Sequence, residues 1–236
     1  MNREEIHSGL LALADPNYRT FHAKLCPGCD NILGIRIPVL KDYAKQLKKQ
    51  YKSMREYLDC PFWDYAEDIM LFGFLLAGEK MTDQERLPYL QIYVSHITSW
   101  AVCDSPVSSY KFIGKNPDFY KPVIRSYLTS DKEFEVRFAV VALMDYYIND
   151  AEIDGVLSDI AGLAHDGYYV KMAAAWALSV AYIRFPEKVL PMFSAKTLDA
   201  FTHNKAIQKI CESYRVSAGD KAMLRTLKNN YSITLI

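Results

Sequence analysis

Trp100 and Asp104, within Ser99-Trp100-Ala101-Val102-Cys103-Asp104-Ser105, are the residues whose types and spacing best suit chemistry. Four positions apart on a helix, they put an aromatic plate and a carboxylate on one face. The same pair also suits an ordinary surface helix, with the indole half in the core and the acid in water, so its neighbours decide. Val136-Arg137-Phe138-Ala139 and Val170-Lys171-Met172-Ala173 stand 34 positions apart, and Lys205 in Asn204-Lys205-Ala206 lies another 34 on. Asp104 precedes Arg137 by 33 positions. Equivalent positions of stacked repeats lie above one another, so Arg137, Lys171 and Lys205 are expected to form a row that Asp104 joins.

Cations at repeat spacing suit a polyanion touched at several points, above all a phosphodiester backbone. Trp100 and Trp176 would offer faces for stacking on a base or a cationic ring. For Trp176, in Ala173-Ala174-Ala175-Trp176-Ala177-Leu178, the alternative is core filling between small residues. A lone carboxylate beside such a surface suggests cleavage of a sugar-to-base bond, where an anion stabilises positive charge developing on the sugar and orients water. An alkylated purine is already cationic and leaves readily, so one Asp would suffice.

The elements that must position these residues are helical. Apolar periodicity predicts helices over 4–14, 17–25, 39–51, 63–77, 86–97, 99–113, 117–128, 134–148, 153–164, 168–184, 187–193, 197–214 and 220–228. Helix pairs thus recur every ~35 residues, the mark of an α-solenoid. We expect an all-α, right-handed solenoid with a concave binding face, forming one domain over 1–236. Residues 1–60 supply the N-terminal helices and 61–230 about five helix pairs. The β-branched runs 35–37 and 232–236 are too few for a sheet. Lys41, Lys45, Lys48 and Lys49 fall on the outward side of the 39–51 helix and read as a solvated face. No dinucleotide or P-loop glycine motif, metalloprotease motif or serine nucleophile elbow is found.

The 236 residues are 50% hydrophobic and 24% charged, ordinary globular material. Lys plus Arg equals Asp plus Glu at 28 each, which weighs against a nucleic-acid partner unless a basic face is segregated from the acids. Five cysteines, at 26, 29, 60, 103 and 211, are not a disulfide framework. Cys26-Pro27-Gly28-Cys29 lacks a second pair for zinc and follows a helix instead of opening one, so neither metal nor redox use is expected, and no cofactor is implied. No apolar run approaches ~20 residues, and residues 1–5 lack a signal-peptide layout. A cytoplasmic, monomeric protein without membrane association is expected.

Taken in order, Trp100-x3-Asp104, Val136-Arg137-Phe138-Ala139 and Lys171-x4-Trp176-Ala177-Leu178 resemble the AlkD-type DNA alkylation repair proteins, HEAT-like-repeat glycosylases acting on N-alkylated purines. The likeness runs from Leu33-Gly34-Ile35-Arg36-Ile37-Pro38 through Asn204-Lys205-Ala206-Ile207-Gln208-Lys209 to Tyr214. It implies that Asp104 is the catalytic carboxylate, that Trp100 and Trp176 pack against the deoxyribose, and that Arg137 holds a phosphate near the lesion. Lys171 and Lys205 would continue the contact with duplex DNA. In active members a second N-terminal helix carries an aromatic residue completing the cradle. Here that region is the short 17–25 segment, broken by Pro27 and Gly28, with Tyr18 and Phe21 as the aromatic candidates. A sub-branch with a curtailed second helix resembles this chain, and its members keep the catalytic residues without necessarily excising lesions. Three readings stay open: an alkylpurine glycosylase, a DNA-binding relative that does not cleave, and a protein-interaction scaffold.

Overall fold

The computed structural model describes residues 2–29 and 31–229. Among them every regular element is helical and no strand occurs, while the 232–236 run lies outside the described residues. Among the described residues no helix is long and apolar enough to cross a membrane. The chain divides into two compact units, Met1–Phe119 and Tyr120–Ile236.

The first unit holds α1 (Arg3–Leu11), α2 (Pro16–Leu25), α3 (Ile37–Gln50), α4 (Arg55–Asp59), α5 (Ala66–Gly78), α6 (Asp83–Ser95), α7 (Trp100–Val107) and α8 (Lys111–Lys115). Side-chain oxygens that satisfy free first-turn amides set several starts. Asn2 accepts from the Glu5 amide, Asp15 from those of Asn17 and Tyr18, and Thr82 exchanges hydrogen bonds with Glu85 in a capping box. Helix α5 is apolar on every side and sits at the centre, against α3, α6 and α7 with lighter contacts to α1 and α4. Its first turn nonetheless buries Glu67 completely. The Glu67 carboxylate accepts from the amides of Leu33, Gly34 and Ile35 at 2.9, 2.9 and 3.1 Å, which anchors the extended lead into α3. Gly34 has φ +82°, and a Cβ there would lie 2.5 Å from both the Arg19 amide nitrogen and the Asp15 carbonyl oxygen of α2's first turn.

Helix α9 (Pro117–Ser126) spans the division, and a 3₁₀ turn follows at Tyr127–Thr129. The second unit continues with α10 (Glu133–Tyr147), α11 (Ile153–Ala161), α12 (Tyr168–Arg184), α13 (Pro186–Ser194), α14 (Ala200–Glu212) and α15 (Ala218–Thr226). Here α10 packs on α12 and α12 on α14, with buried small residues such as Ala173, Ala174, Ala175 and Ala177 allowing close approach. Three ion pairs each join residues 34 positions apart: Arg125 to Asp159 at 2.8 Å, Arg184 to Asp150 at 2.7 Å and Lys188 to Asp154 at 2.7 Å.

The helices depart most from expectation at three places. The helix predicted over 99–113 is two helices, α7 and α8, parted by a turn at 108–110. The helix predicted from 63 begins at Ala66, whose amide is held by the Asn31 carbonyl at 2.8 Å. The one-and-a-half-turn α4 has no counterpart in the periodicity, being too short to repeat a pattern.

Candidate functional site

Ser99 caps α7 by accepting from the Val102 amide, which places Trp100 at the first helical position and Asp104 one turn on. An interior proline shapes this helix. Pro106 has no N–H to give the Val102 carbonyl. The Tyr93 hydroxyl of α6, fully buried, supplies the missing donor at 2.5 Å. Burial pushes that phenol far above its ordinary pKa, with smaller contributions from Tyr110, Cys103 and Asp104, so it stays a donor. Helix α7 is thereby clamped from below while its other face carries Trp100 and Asp104, both half-exposed.

Trp100 is held at its far edge as well. Its Nε1 donates to the carbonyl of Leu25, the last residue of α2, at 3.0 Å. Helix α2 thus reaches the candidate site despite its ten residues. Of its two aromatic candidates, Tyr18 is engaged: the Arg36 guanidinium lies 4.3 Å over its ring and His22 stacks 5.5 Å away. Phe21 is 57% exposed.

In the second unit, Arg137, Lys171 and Lys205 fall on α10, α12 and α14, the helices that pack in succession. Their surroundings differ. Arg137 is only 5% exposed and its Nη1 donates to the Tyr169 carbonyl in α12's first turn at 2.7 Å. Glu133, one turn earlier on α10, accepts from the Tyr169 amide at 2.6 Å. Lys171 pairs with Asp166 at 2.9 Å, and Lys205 donates to Gln208 at 2.9 Å. Trp176 departs from the core-filling expectation. It is half-exposed while Ala173, Ala174, Ala175, Ala177 and Leu178 around it are buried, so the largest ring of the run is the one that reaches the surface.

Cys26 has a packing role. Cys26 closes α2, is buried, and lies 3.5 Å from His22 Nε2. Burial first and the neighbouring Cys29 second push its thiol up to about 11, so it is protonated near neutral pH and a poor nucleophile or ligand. Sequence reasoning missed one cluster among the described residues. His7, Asp64 and Asp68 offer ligand atoms within 4.8 Å of one another, His7 Nδ1 lying 3.1 Å from Asp68 Oδ1. These residues are 57 or more positions apart on one side and joined only by the packing of α1 on α5, a contact without a local sequence signal.

Among the described residues the chain is all-helical and presents an indole and a carboxylate one turn apart on α7, with an arginine and two lysines at 34-residue spacing on α10, α12 and α14. The chain belongs to the DNA alkylation repair enzyme family, which it matches over residues 6–210. No curated protein matches it.

Proposed function

We propose that this protein binds alkylated duplex DNA along the concave face of a HEAT-like helical solenoid and hydrolyses the N-glycosidic bond of N3- or N7-alkylpurines at Asp104. The observation that carries the reading is the pair on α7: Trp100 and Asp104 share a face, both half-exposed, on a helix fixed by the Tyr93 hydroxyl and by the Leu25 carbonyl. A preorganised anion beside an electron-rich ring suits a sugar that becomes cationic in the transition state.

The chemistry balances without a cofactor. The bond between the sugar's anomeric carbon and the purine nitrogen breaks, its electron pair leaves with the cationic base, and the base departs neutral. Asp104 stabilises the oxocarbenium-like sugar, water adds to the anomeric carbon, and Asp104 accepts the proton that the water loses. Trp100 and Trp176 pack against the deoxyribose, and Arg137 steadies the adjacent backbone from its place between α10 and α12. The 34-residue ion-pair spacing in the second unit supports the repeat stacking that this arrangement needs.

Release of 3-methyladenine or 7-methylguanine from alkylated duplex DNA by the purified protein tests the proposal. Base release that disappears in Asp104→Asn supports it. Duplex binding without any base release would leave the non-cleaving relative as the function. Absence of both would return the chain to the scaffold reading.

A further inference from the structure

On the lysine face of helix α3, Lys41, Lys45 and Lys49 are exposed as the sequence predicts, and Lys48 is only partly solvated. Lys48 is half-buried, its ammonium lying across the last turn of α5 where Gly78 leaves room; a Cβ at Gly78 would collide with Lys48 Nζ. It joins Lys41 and Lys45 around an open cavity of about 260 Å³ that Phe74 and Ser109 also line. No residue lining this cavity is acidic. The nearest carboxylate in charge terms, Glu79, is occupied elsewhere, accepting from the Ser53 hydroxyl at 2.6 Å and the Met54 amide at 2.9 Å. Lys41, Lys45 and Lys48 make no ion pair or hydrogen bond through their ammonium groups among the described residues, although the Lys41 ammonium lies 5.3 Å over the Phe74 ring. Desolvation lowers the Lys48 pKa, with Glu79 acting the other way as the smaller effect, as expected for a half-buried cation with no ion-pair partner.

Three cations, one of them half-buried, and no acid around one cavity form an unbalanced electrostatic group, since a partly desolvated ammonium without an acceptor is costly. The missing member is an anion of phosphate size and geometry. We propose that Lys41, Lys45, Lys48 and Ser109 form a binding site for a backbone phosphate of duplex DNA, distinct from the Trp100 and Asp104 face and flanking it. This rests on the DNA-binding reading given above. The placement follows from the fold: α3 packs on α5 and α5 on α7, and Ser109 stands five residues beyond Asp104 in the turn that ends α7.

The test is lysine acetylation footprinting of the unmutated protein, read by mass spectrometry, alone, with a 20-base-pair duplex, and with inorganic phosphate at the same phosphate concentration. Slowed acetylation of Lys41, Lys45 and Lys48 by duplex, and not by inorganic phosphate, is the expected result. In parallel, anisotropy titrations across salt should show that Lys45→Gln with Lys48→Gln reduces the slope of log affinity against log salt by about 1 per lysine. Duplex binding that leaves the three lysines fully reactive overturns the site while sparing the DNA reading. Protection by inorganic phosphate but not by duplex overturns the backbone assignment, and no duplex binding at all overturns both.

Discussion

The indole nitrogen of Trp100 donates to the main-chain carbonyl of Leu25, 75 residues earlier, at 3.0 Å. This bond satisfies an end-of-helix carbonyl of α2 and fixes the angle at which the Trp100 ring meets solvent. Trp100→Phe keeps an aromatic plate and deletes the bond. Its expected cost is about 1 kcal/mol of folding stability by urea denaturation, together with weaker base release. Unchanged stability would mean that α2 and α7 do not depend on each other in this way.

Asp104→Asn removes the charge and keeps the shape. Base release should fall by at least about 100-fold, the usual consequence of losing one preorganised electrostatic group, while duplex affinity changes little. Parallel single-turnover and binding assays on the same alkylated duplex check both halves. Equal losses in the two would make Asp104 a binding residue.

Arg137 is expected to report on folding as well as on DNA. Because its guanidinium is buried against the Tyr169 carbonyl, Arg137→Ala should lower stability by roughly 1.5–3 kcal/mol, the scale for hydrogen bonds made by a charged donor. Arg137→Lys should recover part of that stability but not the planar donor set. Thermal melting in the absence of DNA measures the first effect, and duplex titration of the lysine variant measures the second.

Glu67 serves three amides that have no other acceptor within the extended 33–35 segment. Glu67→Gln turns one oxygen into a donor facing an amide, at a cost of about 1–3 kcal/mol. Glu67→Ala strands all three and should cost more. Urea midpoints of the two variants, in that order, test the arrangement.

Cys26 and Cys60 should separate by reactivity. With the Cys26 thiol pushed up to about 11 and buried, iodoacetamide at pH 8 should label exposed Cys60 first and Cys26 only as the pH nears 11 or the fold opens. Mass spectrometry of the labelled peptides over time gives the order, and early labelling of Cys26 would contradict its placement.

Helices that keep one pattern between clear stop signals were legible from sequence. The predicted and observed limits of α12, Tyr168–Arg184, coincide, because Gly167 precedes it and Phe185-Pro186 ends it. The 34-residue spacing of Arg137 and Lys171 is also that of the ion pairs of Arg125, Arg184 and Lys188, so that spacing was visible in a handful of residues. The break after α7 was not, since Pro106 is tolerated only because a tyrosine from another helix replaces the lost donor. On the lysine face of α3, Lys41, Lys45 and Lys49 are exposed as read and Lys48 alone departs, for a similar reason. Periodicity assigns a side to Lys48 but cannot know that a glycine on α5 opens a place for it. As for the candidate site, sequence named Trp100 and Asp104 but carried no sign of Leu25 or Tyr93, which hold them.

One hydrogen atom governs the angle of the Trp100 ring. The bare α-carbon of Gly34 touches the start of α2, and the far end of that same helix grips the indole. A methyl group at position 34 would act as a wedge under a ten-residue lever, tilting the ring at its tip by a change made well away from it in the chain. Under the proposed function, variation at this glycine should therefore alter base release even with Trp100, Asp104 and Arg137 left in place.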